Sequence, residues 1–551
     1  MSTVAILLSA FVLSVVALMV FIWTQRAGLL DPSPRAAEVI FADGELGVVE
    51  DPAASTAARR ALQASVPAAP LPGPHPTPSA DAPVPAADPR ELLERARADA
   101  STAPLVFFAF CCAFAWLLVA SAAGLTASIK LHEPDWLGQW AWLSFGRIRT
   151  IHLNAVAYGW APMAGLGIAF FIIPRLLKTP LAGARYAFLG AALWNAGLIA
   201  GLGAIAAGFS DGLEWLEIPW QIDVLFVVGG ALLGMPLVLT LLSRRVHHLY
   251  VSVWYMGCAL FWFPVLFLVA NLPGLHRGVQ QAAMNWWFGH NVLGLFYTPL
   301  ALASLYYFVP KIVGRPVQSY NLSLLGFWGL AFFYGQVGGH HLIGGPVPGW
   351  LVTLSIVQSM MMIIPVVAFT VNMHGTMRGR LAALRYSPTL RFIGFGGLMY
   401  TFSSVQGSLE ALRSVNVVTH FTHYTVGHAH LGLYGFVTMV FFGAMYFIVP
   451  RVLGREWPSP WLIGAHFWCA AIGIAVYFVS TSIGGWHQGE AMLDAQRPFM
   501  DSVTLTLPYL KLRSLGGGLM ALGHAVFVVH FTLLLAGRSA GRDQPTLLRA
   551  I

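Results

Sequence analysis

Residues 423–450 read HYTVGHAHLGLYGFVTMVFFGAMYFIVP, with no acidic residue, lysine or arginine before Arg451. About 20 such residues in a helix cross the hydrocarbon core of a bilayer. The stretch is therefore a membrane span, and its two ends differ. His428 and His430 stand near its start, and Arg451 and Arg455 follow its end. Working outward, the same pattern of apolar run and basic loop recurs along the 551 residues, of which 57% are apolar and 10% charged. A soluble domain carries roughly 25% charge, so an ordinary soluble enzyme is excluded. The formal net charge of +8 would suggest nucleic acid in a soluble chain. Here the basic residues lie in loops, where they report topology, and no nucleic-acid partner is expected. The fold class is an all-α polytopic protein of the lipid bilayer.

Three regions follow. Residues 1–27 contain the apolar run Val4 to Trp23, which lacks a basic flank and a clear small-residue cleavage site and reads as a retained anchor. Residues 28–100 include AAPLPGPHPTPSADAPVPAADP, an Ala/Pro-rich stretch expected to be an extended, mostly disordered linker. Residues 101–551 hold twelve further spans between about 104 and 537. Alternate loops carry the basic residues: Arg175, Lys178 and Arg185; Arg244 and Arg245; Lys311 and Arg315; Arg378 to Arg391; Arg451 and Arg455. The intervening loops carry acids such as Asp211, Glu214, Glu217, Glu490 and Asp494. The bias puts both ends of the twelve-span domain in the cytoplasm. The four cysteines, Cys111, Cys112, Cys258 and Cys469, form no CxxC or CxxCH. They read as buried thiols, with no haem attached covalently.

This topology gathers a scattered set of histidines at one depth. His152, His290, the pair His340 and His341, and His428 with His430 all fall in the outer third of the membrane, on four spans. Polar side chains there are costly unless used, and neutral imidazole ligates iron, copper or zinc. On a helix, His428 and His430 are about 200° apart. They face opposite sides and can each serve one cofactor. His340 and His341 are about 100° apart and can converge on one metal, with His290 as the natural third ligand. A lone membrane histidine is more often a hydrogen-bonded packing residue, and the conjunction carries the argument. The other twelve histidines read as packing or loop residues, with His420 and His423 as candidate hydrogen-bond partners of the ligands.

At these residues the chain resembles a known family. GRIRTIHLNAV (146–156), WWFGHNVLG (286–294), Tyr334 with GGHHL (338–342), and HYTVGHAHLG (423–432) resemble subunit I of haem–copper oxidases. PKIVGRPVQSYNLS (310–323) points to the C-family, or cbb3-type, branch. The resemblance covers about residues 104–540. It implies a twelve-span bundle in the bacterial cytoplasmic membrane, with its metal site near the outer, periplasmic face. It implies His152 and His430 as axial ligands of a low-spin haem b, and His428 as ligand of a high-spin haem b. His290, His340 and His341 would hold copper, and Arg147 and Arg149 would pair with haem propionates. Tyr334, seven positions before His341, would be the catalytic tyrosine, joined covalently to His290 and supplying a proton and an electron. The implied reaction is reduction of dioxygen to water, with electrons from c-type cytochrome subunits and protons from the cytoplasm. Tyr306, Tyr307, Tyr320 and Ser323, at the inner ends of their spans, are the expected proton route.

The sequence departs from the family in places. Gln406 stands where the C-family has an acidic residue, and Gly339 stands where proline is frequent. FIWTQRAGLLDP (21–32) shares a short resemblance with the small maturation protein of cbb3 operons, which suggests a fusion. The alternative activity on the same fold is nitric oxide reduction. There a non-haem iron needs a carboxylate one turn after the first histidine, and here that position is Gly294. A non-redox permease explains the spans but not the histidines, and an inactive paralogue does not explain a full ligand set.

Overall fold

A computed structural model describes residues 89–539 without a break, and residues 15–16, 18–30, 33–41 and 45–65 ahead of them. Most of the expected N-terminal span Val4–Trp23 lies outside the described residues. Helix α1 is Thr56–Ser65, and α2 is Pro89–Lys130. Then come α3 (Phe145–Leu176), α4 (Ala184–Ala207), α5 (Trp220–Leu242), α6 (Val251–Asn271) and α7 (Val279–Val313). Next are α8 (Tyr320–Phe333), α9 (Gly349–Met377) and α10 (Pro388–Glu410), followed by α11 (His423–Leu453), α12 (Pro460–Leu493) and α13 (Phe499–Leu535).

Among the described residues, ten helices are long and apolar enough to cross a membrane. The twelve expected spans include two more, α8 and α10. Helix α8 has only 14 residues before it tightens into a 3-10 stretch, Tyr334–Leu342. Helix α10 carries Arg391, Gln406 and Glu410 together with several Ser and Thr residues. Helices α3, α7 and α11 are the innermost, almost wholly buried, whereas most of the other long helices bury half or less. Each of the three also widens into a π turn: Ala155–Trp160, Leu293–Tyr297 and Leu431–Thr438. Each π turn begins within three residues of a histidine. Such turns shift the following residues around the axis and are frequent at functional sites.

Small residues let the outer helices pack closely. A Cβ on Gly190 of α4 would come 2.6 Å from the Gly229 carbonyl of α5. One on Gly473 of α12 would come 2.9 Å from the Gly516 carbonyl of α13.

Of the linker expected over 28–100, the structure describes residues 28–30, 33–41, 45–65 and 89–100. Residues 66–88, its Pro-rich middle, lie outside the described residues. Before them, the chain lies on the bundle with Leu29, Ile40, Val49 and Leu62 buried, and after them α2 begins at Pro89. The physical reason is charge as well as apolar contact. Glu45 pairs with Lys311 and Arg95, Glu50 lies 3.3 Å from Arg451, and Arg59 pairs with Glu456. Asp51 is fully buried and accepts hydrogen bonds from Ser387 Oγ (2.6 Å) and from Thr389 Oγ1 and N–H (2.8 and 3.0 Å). Low hydrophobicity alone suggested disorder, but the basic end of the bundle supplies the partners.

Candidate haem–copper centre

One cavity of about 490 Å³ is lined by all six expected histidines and by Tyr334. His152 (α3) and His430 (α11) face each other across part of it. Their rings are nearly parallel, at 7°, with centroids 6.2 Å apart. Two imidazoles holding one metal from opposite sides, each at about 2 Å, would have centroids roughly 6 Å apart. The pair therefore fits an axially ligated iron. Each ring donates its Nδ1–H to a backbone carbonyl, Ala120 for His152 and Val426 for His430, both at 2.8 Å. That fixes the ring planes and turns each Nε2 to the cavity, where it would ligate a metal; the Tyr477 hydroxyl stands 3.2 Å from His430 Nε2. Gly124 admits the His152 ring, because a Cβ there would lie 2.5 Å from Nδ1.

His428 lies on the other side of α11, as its spacing from His430 requires. Its Nδ1–H donates to Gln406 Oε1 at 3.3 Å, so an amide holds it where the family pattern has an acid. Gly407 opens the space for this ring, and a Cβ there would stand 2.7 Å from His428 Cε1.

His290, His340 and His341 cluster, with ring centroids 4.6–5.0 Å apart. One ligand nitrogen from each lies within 4.8 Å of the others. His290 Nδ1 is 2.9 Å from His341 Nε2. Ser359 gives its hydroxyl proton to the Ser355 carbonyl and so accepts from His340 Nδ1–H at 3.0 Å. Trp286, one turn before His290, stacks on His341 at 4.1 Å. Three neutral imidazoles form a donor set suited to copper, zinc or iron.

Tyr334 reaches the same cluster by a different geometry from the one expected. The segment Tyr334–Leu342 is 3-10, not α, with three residues per turn. Tyr334 therefore lies two turns from His340 on one face, not below His341. Its ring stacks beside His290 at 5.4 Å and 19°. It also lies over Gly294, where any Cβ would overlap its ring. The place a carboxylate ligand would need is filled by Tyr334.

The two arginines divide. Arg149 lines the cavity and pairs with Glu214 at 2.5 Å. Arg147 turns to the end of α4 and donates to the Ala206 carbonyl at 3.0 Å. In its place the structure brings Arg513 of α13 to the cavity wall, its Nε–H donating to Tyr477 at 2.9 Å. Sequence reasoning missed Arg513. The signal was available, since KLR (511–513) is a basic pair in the outer part of an apolar span. His420 hydrogen-bonds the backbone of His341 and Ile343, and His423 lines the cavity. Of the expected proton route, Tyr306 and Ser323 sit along the α6–α7–α8 seam: Tyr306 stacks on Tyr255, and Ser323 accepts from Asn372 at 2.9 Å. Tyr320 donates to the Leu249 carbonyl at 3.3 Å. Tyr307 is turned away, toward the buried Arg175–Asp99 pair, and accepts from Arg175 at 3.0 Å.

Comparison with known proteins agrees with this geometry. Residues 105–519 match the family model described as Cytochrome C and Quinol oxidase polypeptide I. The chain is 34% identical over 429 residues to the "Cbb3-type cytochrome c oxidase subunit CcoN1" of Stutzerimonas stutzeri, covering 75% of this chain and 90% of that one. It is 32% identical over 416 residues to "Cytochrome c oxidase subunit 1" of Rhodobacter capsulatus, covering 72% and 78%. A cryo-EM structure of a haem–copper terminal oxidase dimer superposes with a TM-score of 0.64 at 18% identity, over 82% of this chain and 86% of that chain, which shows the common fold. Six histidines around one cavity and a family match over most of the chain lead to one conclusion: this protein belongs to the haem–copper oxidase subunit I family, as a cytochrome c oxidase subunit I homologue and an oxidoreductase.

Proposed function

We propose that the chain is the catalytic subunit of a cbb3-type terminal oxidase that reduces dioxygen to water. The observation that carries this reading is the Tyr334 ring, stacked on His290 and lying over Gly294. It brings a phenol to the three-imidazole cluster and leaves no room for the carboxylate that nitric oxide reduction would require. In this reading His152 and His430 hold a low-spin haem b, His428 a high-spin haem b, and His290, His340 and His341 a copper ion. When bound, these groups supply the electron transfer and the oxygen-reducing chemistry.

The chain's own residues position that chemistry. The Ala120 and Val426 carbonyls and the Gln406 amide hold three imidazoles by Nδ1, so that each presents Nε2. Preorganised groups of this kind spare reorganisation during reaction. The Tyr334 hydroxyl gives up a proton at its oxygen and recovers one through the Tyr306–Ser323 seam. His428 and His430 stand on opposite sides of α11, so this helix would hold one haem on each side and electrons would pass across it. The subunit sits in the bacterial cytoplasmic membrane as twelve spans plus the N-terminal one, with the site toward the periplasmic face. Its electrons come from c-type cytochrome subunits on that face, because the chain has no CxxCH of its own.

Metal analysis of the purified complex, with parallel turnover on dioxygen and nitric oxide, tests the reading. Copper with dioxygen turnover is the expected result, and non-haem iron with nitric oxide turnover alone would overturn it. Tyr334→Phe is expected to abolish dioxygen reduction while both haem spectra remain, and normal turnover would remove Tyr334 from the mechanism.

A further inference from the structure

Two buried polar atoms on α10 stand without a partner beside the His428 ring: Gln406 Nε2 and Glu410 Oε2. Gln406 is the position where an acid is missing from the sequence, and Glu410 is the next acidic residue along the same helix. Residues four apart lie one above the other on one face of a helix. Gly407, between them, leaves the room that the His428 ring occupies.

The hydrogen bonds orient both side chains. His428 gives its Nδ1–H to Gln406 Oε1 at 3.3 Å. The amide nitrogen of Gln406 then has two protons to give and meets no acceptor among the described residues. Glu410 is only 7% exposed, lines the central cavity and lies within electrostatic reach of His428. Its Oε1 accepts from the Thr425 hydroxyl of α11 at 2.8 Å, three residues before His428. Its Oε2 accepts from nothing among the described residues. Acidic side chains are almost never buried so deeply without a partner, and an unpaired buried polar atom costs about 1–3 kcal/mol. Here a spare donor and a spare acceptor share one helix face at the wall of a cavity. One internal water between them satisfies both.

We propose that Glu410, acting through an internal water and the Gln406 amide, is the positioning residue that sets how strongly His428 donates to the high-spin haem. Glu410 Oε2 accepts from the water, the water accepts from Gln406 Nε2–H, and Gln406 Oε1 accepts from His428 Nδ1–H. Hydrogen bonds in such a chain polarise one another. Drawing on the amide protons makes Oε1 a stronger acceptor and the imidazole a more basic ligand. The acid absent from position 406 is replaced from one turn further along α10, with the amide carrying its influence. No proton or electron is transferred in this chain. The inference rests on His428 as the ligand of the high-spin haem, and it holds whether dioxygen or nitric oxide is the substrate.

The test uses the full chain in its complex and two readouts that need no turnover. One is the iron–histidine stretching band of the reduced high-spin haem in resonance Raman spectra, and the other is the midpoint potential of that haem. Glu410→Gln keeps the length of the side chain and an acceptor for Thr425. It is expected to lower the band and to shift the equilibrium toward the reduced haem on the order of tenfold, which is about 59 mV for one electron. The low-spin haem should not move. A carboxyl that only anchors Thr425 would leave both readouts at their wild-type values in Glu410→Gln, and that result would overturn the proposal. Adding Gln406→Glu to Glu410→Gln returns an acid directly to His428 and is expected to restore both readouts; failure to restore them counts against the chain as drawn. Where Glu410→Gln does not assemble, Glu410→Asp is expected to give a smaller shift in the same direction, and wild-type values there would also overturn the proposal. A complex that binds no high-spin haem would defeat the functional reading together with this inference, whereas two intact haems with unshifted values defeat this inference alone.

Discussion

A single missing side chain decides what can stand beside His290. Gly294 begins the second residue of a π turn on α7, and the Tyr334 ring occupies the space its Cβ would need. Gly294→Glu is therefore expected to displace Tyr334. Misplacement of a reacting group by about 1 Å can lower turnover 100-fold, and dioxygen consumption normalised to haem content measures it. A second residue, Glu217, lies in the loop between α4 and α5 and accepts a hydrogen bond from Asn154 at 2.9 Å. Burial raises its carboxyl to about 7, against the pull of the Asn154 hydrogen bond. A carboxyl whose pKa is higher folded than unfolded contributes stability that is complete below its ordinary value near 4.5 and is lost as pH rises through about 7. The loop is expected to loosen across that interval, seen as faster amide exchange over residues 210–219. Glu217→Gln should flatten the dependence.

The element that departs most from its composition is the segment before α2. It lies across the ends of α7, α10 and α11, held by Asp51 at the start of α10 and by Glu45 and Glu50 on Lys311 and Arg451. It also fits the turn after α7. Gly314 has φ of 65°, accepts a hydrogen bond from Gly47 N–H at 2.9 Å, and has no room for a Cβ beside the Val48 carbonyl. Removing Asp51 leaves Ser387 and Thr389 donors unpaired in a buried site. Asp51→Ala is expected to weaken this docking by about 2 kcal/mol or more, read as faster proteolytic nicking over residues 45–65 with the bundle intact. Retention of wild-type resistance would show that the ion pairs suffice alone.

At the scale of the molecule, the charges sort into two ends. Lys311, Arg451 and Arg175 meet the acids of the N-terminal segment and α2 at one end. Glu214, Glu217, Glu490 and Asp494 lie in or beside the opposite loops. Reporter fusions after Arg538 are expected to be cytoplasmic, and fusions in the loop after Leu493 periplasmic. The reverse result would invert the inferred direction of proton uptake. Much of this organisation is legible without coordinates, because hydrophobic runs and basic loops act locally on each span. The depth of the six histidines follows from the same pattern, and the angular separation of His428 and His430 follows from helix periodicity alone.

What periodicity could not supply is which helix stands beside which, and any departure from the regular helix. The 3-10 stretch that turns Tyr334 toward His290, the π turns after the histidines, and the replacement of Arg147 by Arg513 at the cavity all arise from packing between distant segments. The same holds for the buried His466 and His524, each indistinguishable from a packing residue until Tyr446 and Tyr434 of α11 and Ser121 of α2 bring their hydroxyls against them. Composition assigned residues 28–100, the segment before residue 66 included, to a linker because it records only how much apolar surface a segment can bury by itself. The folded chain gave that segment a charged and partly apolar surface to dock on.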